Sequence, residues 1–270
     1  MKKAARFLVL ACVVSAVGGG CGATEEAPSS TDQSIISGTV DSTNIAAVGL
    51  QGPLGAIYGS GTIVRTDPLR GTAYVLTAAH AALTTPYSIV YDEASGRRVQ
   101  LFGTAQASRV HPSYNGGVAA YDVAVFEVSG AGCNTPVIPI LSTPLDRLSE
   151  SAAITVVGWG RFDEAGRAAR TRHSMVKLIE TLDTSTIAWD NGGTKASCSG
   201  DSGGPMLRSR QGKQEVVGVY HGRRDAGDTC LLEGSEGYGV RVENVRTWIN
   251  DAITDLHGGS VYAGCAIPLR

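Results

Sequence analysis

Apolar and polar residues alternate with a period of two along much of this 270-residue chain, in runs too short for helices. Ala46 to Leu50, Ile57 to Val64, Tyr74 to Thr77, Val99 to Phe102, Val123 to Val128, Ile154 to Val157 and Val216 to Tyr220 read as strands, rich in Val, Ile, Thr and aromatic residues and broken by turn formers. One segment has the helical period instead. Val245, Trp248, Ile249, Ala252, Ile253 and Leu256 share a face, which predicts a helix over Val245 to Leu256. No repeat period stands out. The pattern predicts a mostly β protein ending in a helix, and 35 glycines fit its many turns.

The N-terminus departs from this pattern. Lys2, Lys3 and Arg6 precede the apolar run Phe7 to Val17, which is shorter than the roughly 20 residues that span a bilayer. Residues 1–20 therefore read as a signal peptide and place the mature protein outside the cytoplasm. Gly18-Gly19-Gly20-Cys21 resembles the lipobox of bacterial lipoproteins, except that Gly18 stands where leucine is usual. Cys21 is a lipidation candidate, with ordinary cleavage nearby as the alternative. Residues 21–34 are polar and read as a flexible tether or pro-segment. The chain is exported: extracellular, periplasmic or anchored at the outer membrane of a bacterium, with membrane contact only through a lipid on Cys21. Net charge of −2 suggests no nucleic-acid partner.

The chemistry lies in Gly200-Asp201-Ser202-Gly203-Gly204-Pro205, which follows Cys198-Ser199. A serine hydroxyl becomes a nucleophile only beside a base, and the oxyanion it creates needs oriented N–H donors. Glycines around Ser202 allow unusual dihedrals and leave room for a substrate. Upstream, Leu76-Thr77-Ala78-Ala79-His80 ends a β-rich run in a base, and Tyr121-Asp122-Val123-Ala124-Val125-Phe126 opens a strand with a carboxylate. Histidine, aspartate, serine is one of the chain orders in which such a triad occurs.

These motifs resemble those of the chymotrypsin-family (S1) serine proteases. Lesser landmarks agree: His111-Pro112-Ser113-Tyr114, Gly158-Trp159-Gly160, Gly237-Tyr238-Gly239-Val240-Arg241-Val242 and the terminal helix. The resemblance implies an all-β fold of two six-stranded antiparallel β-barrels with a C-terminal α-helix and the triad between the barrels. It places barrel one at about 35–140, barrel two at about 145–242, the helix at about 243–256 and a tail at 257–270, with the barrels meeting near Pro139 to Pro144. It also implies an endopeptidase acting on proteins or peptides, in which Ser202 attacks the carbonyl, His80 moves the proton, Asp122 fixes the imidazole, and the N–H groups of Gly200 and Ser202 form the oxyanion hole. His111 reads as a structural loop residue, and His173 and His257 as solvated polar positions.

Ile35-Ile36-Ser37-Gly38 resembles the start of mature family enzymes, whose freed α-amino group pairs with the aspartate before the nucleophile, here Asp201. Ser34 precedes Ile35 where lysine or arginine is usual, so a non-tryptic activating protease or self-processing is implied. The alternative is that Ile35 simply begins a first strand. By the same resemblance, Ala196, Ser197, Ser199, His221 and Gly237 lie at the substrate pocket. Ala196 stands where trypsin-like members have aspartate, and Gly237 leaves the slot open, which implies an apolar or aromatic P1 residue. Ser199 and His221, with Arg223-Arg224 nearby, keep an acidic (Glu) P1 preference as the alternative, and His221 is placed either on the pocket or beside the triad. A protease-like binding protein without catalysis is the rival class, opposed by the retention of all three triad residues.

With Cys12 in the signal and Cys21 a lipidation candidate, Cys133, Cys198, Cys230 and Cys265 remain. The resemblance implies a Cys198–Cys230 bridge, leaving Cys133 and Cys265 as the second pair, with Cys21–Cys133 as the alternative. The family's bridge around the histidine is missing, since Ala81 follows His80, and His80 is expected to be positioned by packing alone. No His-Glu-x-x-His pattern or phosphate loop is present, so neither metal nor cofactor is expected. Asp92 and Glu93 read better as a solvated turn than as a calcium loop.

Overall fold

The computed structural model describes residues 35–82, 87–93, 95–117, 119–141, 148–161, 163, 165, 170–224 and 229–259. The signal, the tether, Cys21, Cys265 and the tail beyond 259 lie outside these residues. In chain order the strands are β1 (Thr39–Val40), β2 (Ala47–Gln51), β3 (Ile57–Asp67), β4 (Thr72–Thr77), β5 (Tyr87–Asp92), β6 (Arg98–Val110) and β7 (Ala124–Ser129). They continue with β8 (Ala153–Gly158), β9 (His173–Leu178), β10 (Thr181–Leu182), β11 (Thr186–Asp190), β12 (Pro205–Arg210), β13 (Lys213–Arg224) and β14 (Glu236–Arg241), and the chain then enters α1 (Val242–His257).

Six of these close a barrel in the order β2-β3-β4-β7-β6-β5. Strand β4 is buried along its whole length, because Tyr74, Val75 and Leu76 lie between β3 and β7. The second half forms one sheet in the order β1-β9-β8-β12-β13-β14-β11-β10. Its six inner strands are the counterpart of the second barrel, and the two-residue strands β1 and β10 extend its edges. Among the described residues no ladder joins β9 to β11. Met175, Ile187 and Trp189 from those strands instead share one apolar cluster with Ile35, Val156, Met206 and Tyr220, so this seam is filled by side chains.

Helix α1 extends the predicted helix by a few residues at its start. Val245, Ile249, Ala252 and Ile253 bury the apolar stripe, and Gly258, with φ of 75°, ends the helix in the left-handed conformation. His173 and His257, expected in solvent, are both buried. His257 sits one turn beyond Ile253 on the buried face of α1, and its Nδ1 is 2.7 Å from the Tyr74 hydroxyl. His173 is in β9 between β1 and β8. Asp92 and Glu93 pair with Arg98 and Arg97, which accounts for both charges at that turn.

Candidate active site

Strand β4 runs antiparallel to β7 with Thr77 opposite Ala124. The chain leaving β4 and the chain entering β7 therefore emerge at one end of the first barrel. His80 lies on the 3₁₀ turn Ala79–Ala81 just after β4, and Asp122 lies between a second 3₁₀ turn, Ala119–Tyr121, and β7. The Asp122 carboxylate is fully buried. Its Oδ1 accepts the main-chain N–H of His80 at 2.8 Å, and its Oδ2 lies 2.6 Å from His80 Nδ1. His80 is thus held at backbone and ring by one carboxylate, rather than by packing alone.

A second imidazole reaches the same atom: His221 Nδ1 is 2.5 Å from Asp122 Oδ2. Burial alone would raise the Asp122 pKa, but hydrogen bonds from His221 and His80 outweigh it and hold the group well below the usual carboxylate range. An ionised carboxylate can only accept, so both rings donate from Nδ1, and in a neutral His80 ring Nε2 is left as the acceptor. Two imidazoles and a carboxylate are also a metal donor set, and the three donor atoms lie within 4.8 Å of one another. Two ligands of one tetrahedral zinc ion sit about 3.3 Å apart. The separations of 2.6 and 2.5 Å fit hydrogen bonds instead.

Ser202, the expected nucleophile, is on the loop that enters β12, in the second half of the chain. Its hydroxyl donates to the main-chain carbonyl of His221 at 3.2 Å. Gly203 has φ of 84°, and a Cβ there would come within 2.0 Å of Thr77 Oγ1, so the turn after the serine admits only glycine. In this loop the N–H groups of Asp201, Gly203 and Gly204 donate to the carbonyls of Cys198, Tyr220 and Asp201. Those of Gly200 and Ser202 have no acceptor among the described residues and are available to a developing oxyanion. Ser60 of β3 clamps the loop from the other barrel. Its Oγ donates to Gly200 O at 2.8 Å and accepts Trp159 N–H at 2.9 Å, and its N–H donates to Ser202 O at 2.8 Å.

Asp201 is also fully buried, with its carboxylate accepting N–H groups from Gly160 and Cys198, both at 2.8 Å. Burial pushes its pKa up to about 7, against the pull of those two hydrogen bonds. Ile35 is buried in the second apolar cluster, and Ile36 bridges to Ala196, which brings the segment at Ile35 to the approach to the nucleophile loop.

The expected pocket residues are partly assembled. Ala196 and Ser197 are buried, the latter with Oγ on Asn191 Oδ1 at 2.6 Å, whereas Ser199 is exposed. Gly237 lies opposite Trp189 in the β11–β14 ladder, and a Cβ on it would meet the indole at 2.6 Å. The space expected to be open at Gly237 is thus taken by a ring from β11, which no motif marks. Cys198 and Cys230 are joined by a disulfide, bracing this region. Cys133 is also disulfide-bonded, to a partner outside the described residues.

The profile of the Trypsin family matches residues 68–249. Chymotrypsin-like elastase family member 1 of Bos taurus is 26% identical over 201 residues, covering 67% of this chain and 75% of its own. Trypsin alpha-4 of Lucilia cuprina is 24% identical over 202 residues, covering 67% and 74%. Serine protease 56 of Homo sapiens is 27% identical over 208 residues, covering 69% of this chain but 34% of its own length. The family match runs from β4 through the first half of α1 and takes in His80, Asp122 and Ser202, so the chain belongs to the trypsin family of serine endopeptidases.

Proposed function

We propose that His80, Asp122 and Ser202 form the catalytic triad of an exported endopeptidase that cleaves after aliphatic P1 residues. The two hydrogen bonds that seat His80 on buried Asp122 carry this reading. They fix the tautomer whose Nε2 takes the Ser202 proton. Attack on the peptide carbonyl forms a tetrahedral oxyanion facing the N–H groups of Gly200 and Ser202. His80 then returns the proton to the leaving amine, and water hydrolyses the acyl-enzyme by the same route.

Ala196 offers no charge to a basic P1 side chain, and the Trp189 ring against Gly237 shortens the slot, which favours Ala, Val or Leu over Phe or Tyr. A Glu side chain would need a free cation. Arg224 is paired with Glu236 and stacked over Tyr238, Arg223 donates to the Thr229 carbonyl, and His221 Nδ1 is on Asp122. In a panel of peptides differing only at P1, kcat/KM is expected to be highest for Ala, Val or Leu and at least about tenfold lower for Phe, Glu and Arg, since one misfit group is worth about 1–3 kcal/mol. A dominant preference for Arg or Glu would overturn the pocket assignment.

The same reading includes export by the signal, a lipid tether at Cys21, and activation by a cut between Ser34 and Ile35 that separates the catalytic domain from that tether. N-terminal sequencing and intact mass of the active form test it. Active enzyme that still carries a lipidated Cys21 in the same polypeptide would refute release on activation. No described helix is long and apolar enough to cross a membrane.

A further inference from the structure

His221 lies where the pairing of β13 with β14 slips. Tyr220 is opposite Gly239 and Gly222 is opposite Tyr238, so His221 is the extra residue of a β-bulge. Bulges re-aim the side chains they carry. Tyr220 points into the second apolar cluster, and His221 turns to the triad. Its ring is held on both sides, edge-on to His80 at 5.2 Å and against Tyr238 at 4.9 Å, with the Arg224 guanidinium 4.5 Å over the Tyr238 ring. The same residue reaches the nucleophile through its backbone, since the Ser202 hydroxyl donates to its carbonyl.

We propose that His221 is a positioning residue for the reaction assigned above, its Nδ1–H serving as the second ring donor that holds the Asp122 carboxylate in the orientation that fixes the His80 tautomer. Oδ1 receives the His80 main-chain N–H, and Oδ2 receives both rings. Without the His221 donor, Oδ2 of the fully buried Asp122 keeps one partner, and an unmet acceptor there is costly. Two responses relieve it: rotation of the carboxylate, or uptake of a proton. Either disturbs the His80 tautomer, because a neutral Asp122 can present a proton to Nδ1 and leave the proton of His80 on Nε2, where it blocks acceptance from Ser202.

The test uses the active form of the protein, with His221 replaced by Ala, by Leu, which fills the space without a donor, and by Asn, whose amide can donate. Ser202 labelling by a fluorophosphonate is measured beside kcat and KM on a peptide substrate. His221→Ala and His221→Leu are expected to lower both the labelling rate and kcat by about 10- to 100-fold, the usual scale for a residue that orients a catalytic group. KM should stay within about threefold. Asn should recover most of the loss, and free imidazole should partly rescue the Ala variant, since the His221 side chain is 22% exposed. If His221→Ala does not fold, the Leu and Asn pair decides between packing and donation. Wild-type kcat in the Ala or Leu variant, a change confined to KM, or no recovery by Asn and imidazole would overturn the proposal. If wild-type enzyme itself resists labelling, the triad reading fails instead, so the two failures are distinguishable.

Discussion

With Ser202 replaced by alanine, kcat on a peptide substrate falls by about a million-fold and fluorophosphonate labelling disappears, while KM changes little. The size of the loss follows from how the three residues act. In the proposed mechanism Ser202 supplies the bond-forming atom, and His80, seated on a buried carboxylate, is the base assigned to it. Losing either one removes the whole covalent route, so His80→Ala should cost about as much as Ser202→Ala, and the double variant little more than either alone. Asp122→Asn should cost about ten-thousand-fold, because its amide donates where the carboxylate accepts and so selects the wrong tautomer of His80. What survives in each variant comes from substrate positioning and the Gly200 and Ser202 N–H groups. Additive losses in the double variant would show that the residues do not work as a unit.

Cutting the chain before Ile35 should raise activity by at least about a hundred-fold and change how stability depends on pH. The cause in both cases is Asp201. In the uncut chain its carboxylate is fully buried, with two main-chain N–H donors and a pKa pushed up to about 7. The unfolded value is near 3.8, so between about pH 4 and pH 7 the folded chain holds a proton that the unfolded chain has lost. Stability must therefore fall as pH rises through this window, by an amount on the order of 4 kcal/mol at full ionisation. A freed Ile35 α-amino group would place a positive charge against the carboxylate, lower its pKa and abolish most of that fall. Urea midpoints of the uncut and cut forms of Ser202→Ala, taken from pH 4.5 to 7.5, should diverge toward neutral pH. Parallel curves would rule out the pairing. In the cut enzyme, Asp201→Asn should lose about a hundred- to a thousand-fold in kcat, as expected when one oxyanion donor is misplaced.

The parts of the site that were legible in the sequence are those whose chemistry forces a local motif. Gly203 must be glycine because of Thr77, and Ser202 and Asp201 sit in the same turn, so the loop announces itself. His80 and Asp122 follow and precede strands that pair, and their alternation is visible without any structure. His221 was harder to assign because its direction depends on a bulge, which shifts a strand by one residue and leaves no fixed mark in the sequence. Its two candidate places, pocket or triad, differ by that one residue, and its ring lies on the triad carboxylate. The burial of His257 depends on Tyr74, far away in the chain, and the filling of the space at Gly237 depends on Trp189 across a ladder. Polar side chains enter the interior only when a distant partner is supplied, and composition does not report partners.

Ser60 belongs to the first barrel, yet it grips the backbone on both sides of Asp201, at Gly200 and at Ser202. One of the contacts that join the two halves of the molecule therefore also shapes the reactive turn. A parting of the halves would release that turn and would also open the larger apolar cluster, in which Val157, Leu207, Val216 and Val240 of the second half pack with the interior of the first barrel. Loss of catalysis under mild heat or denaturant should therefore accompany the opening of this shared core rather than leave it intact.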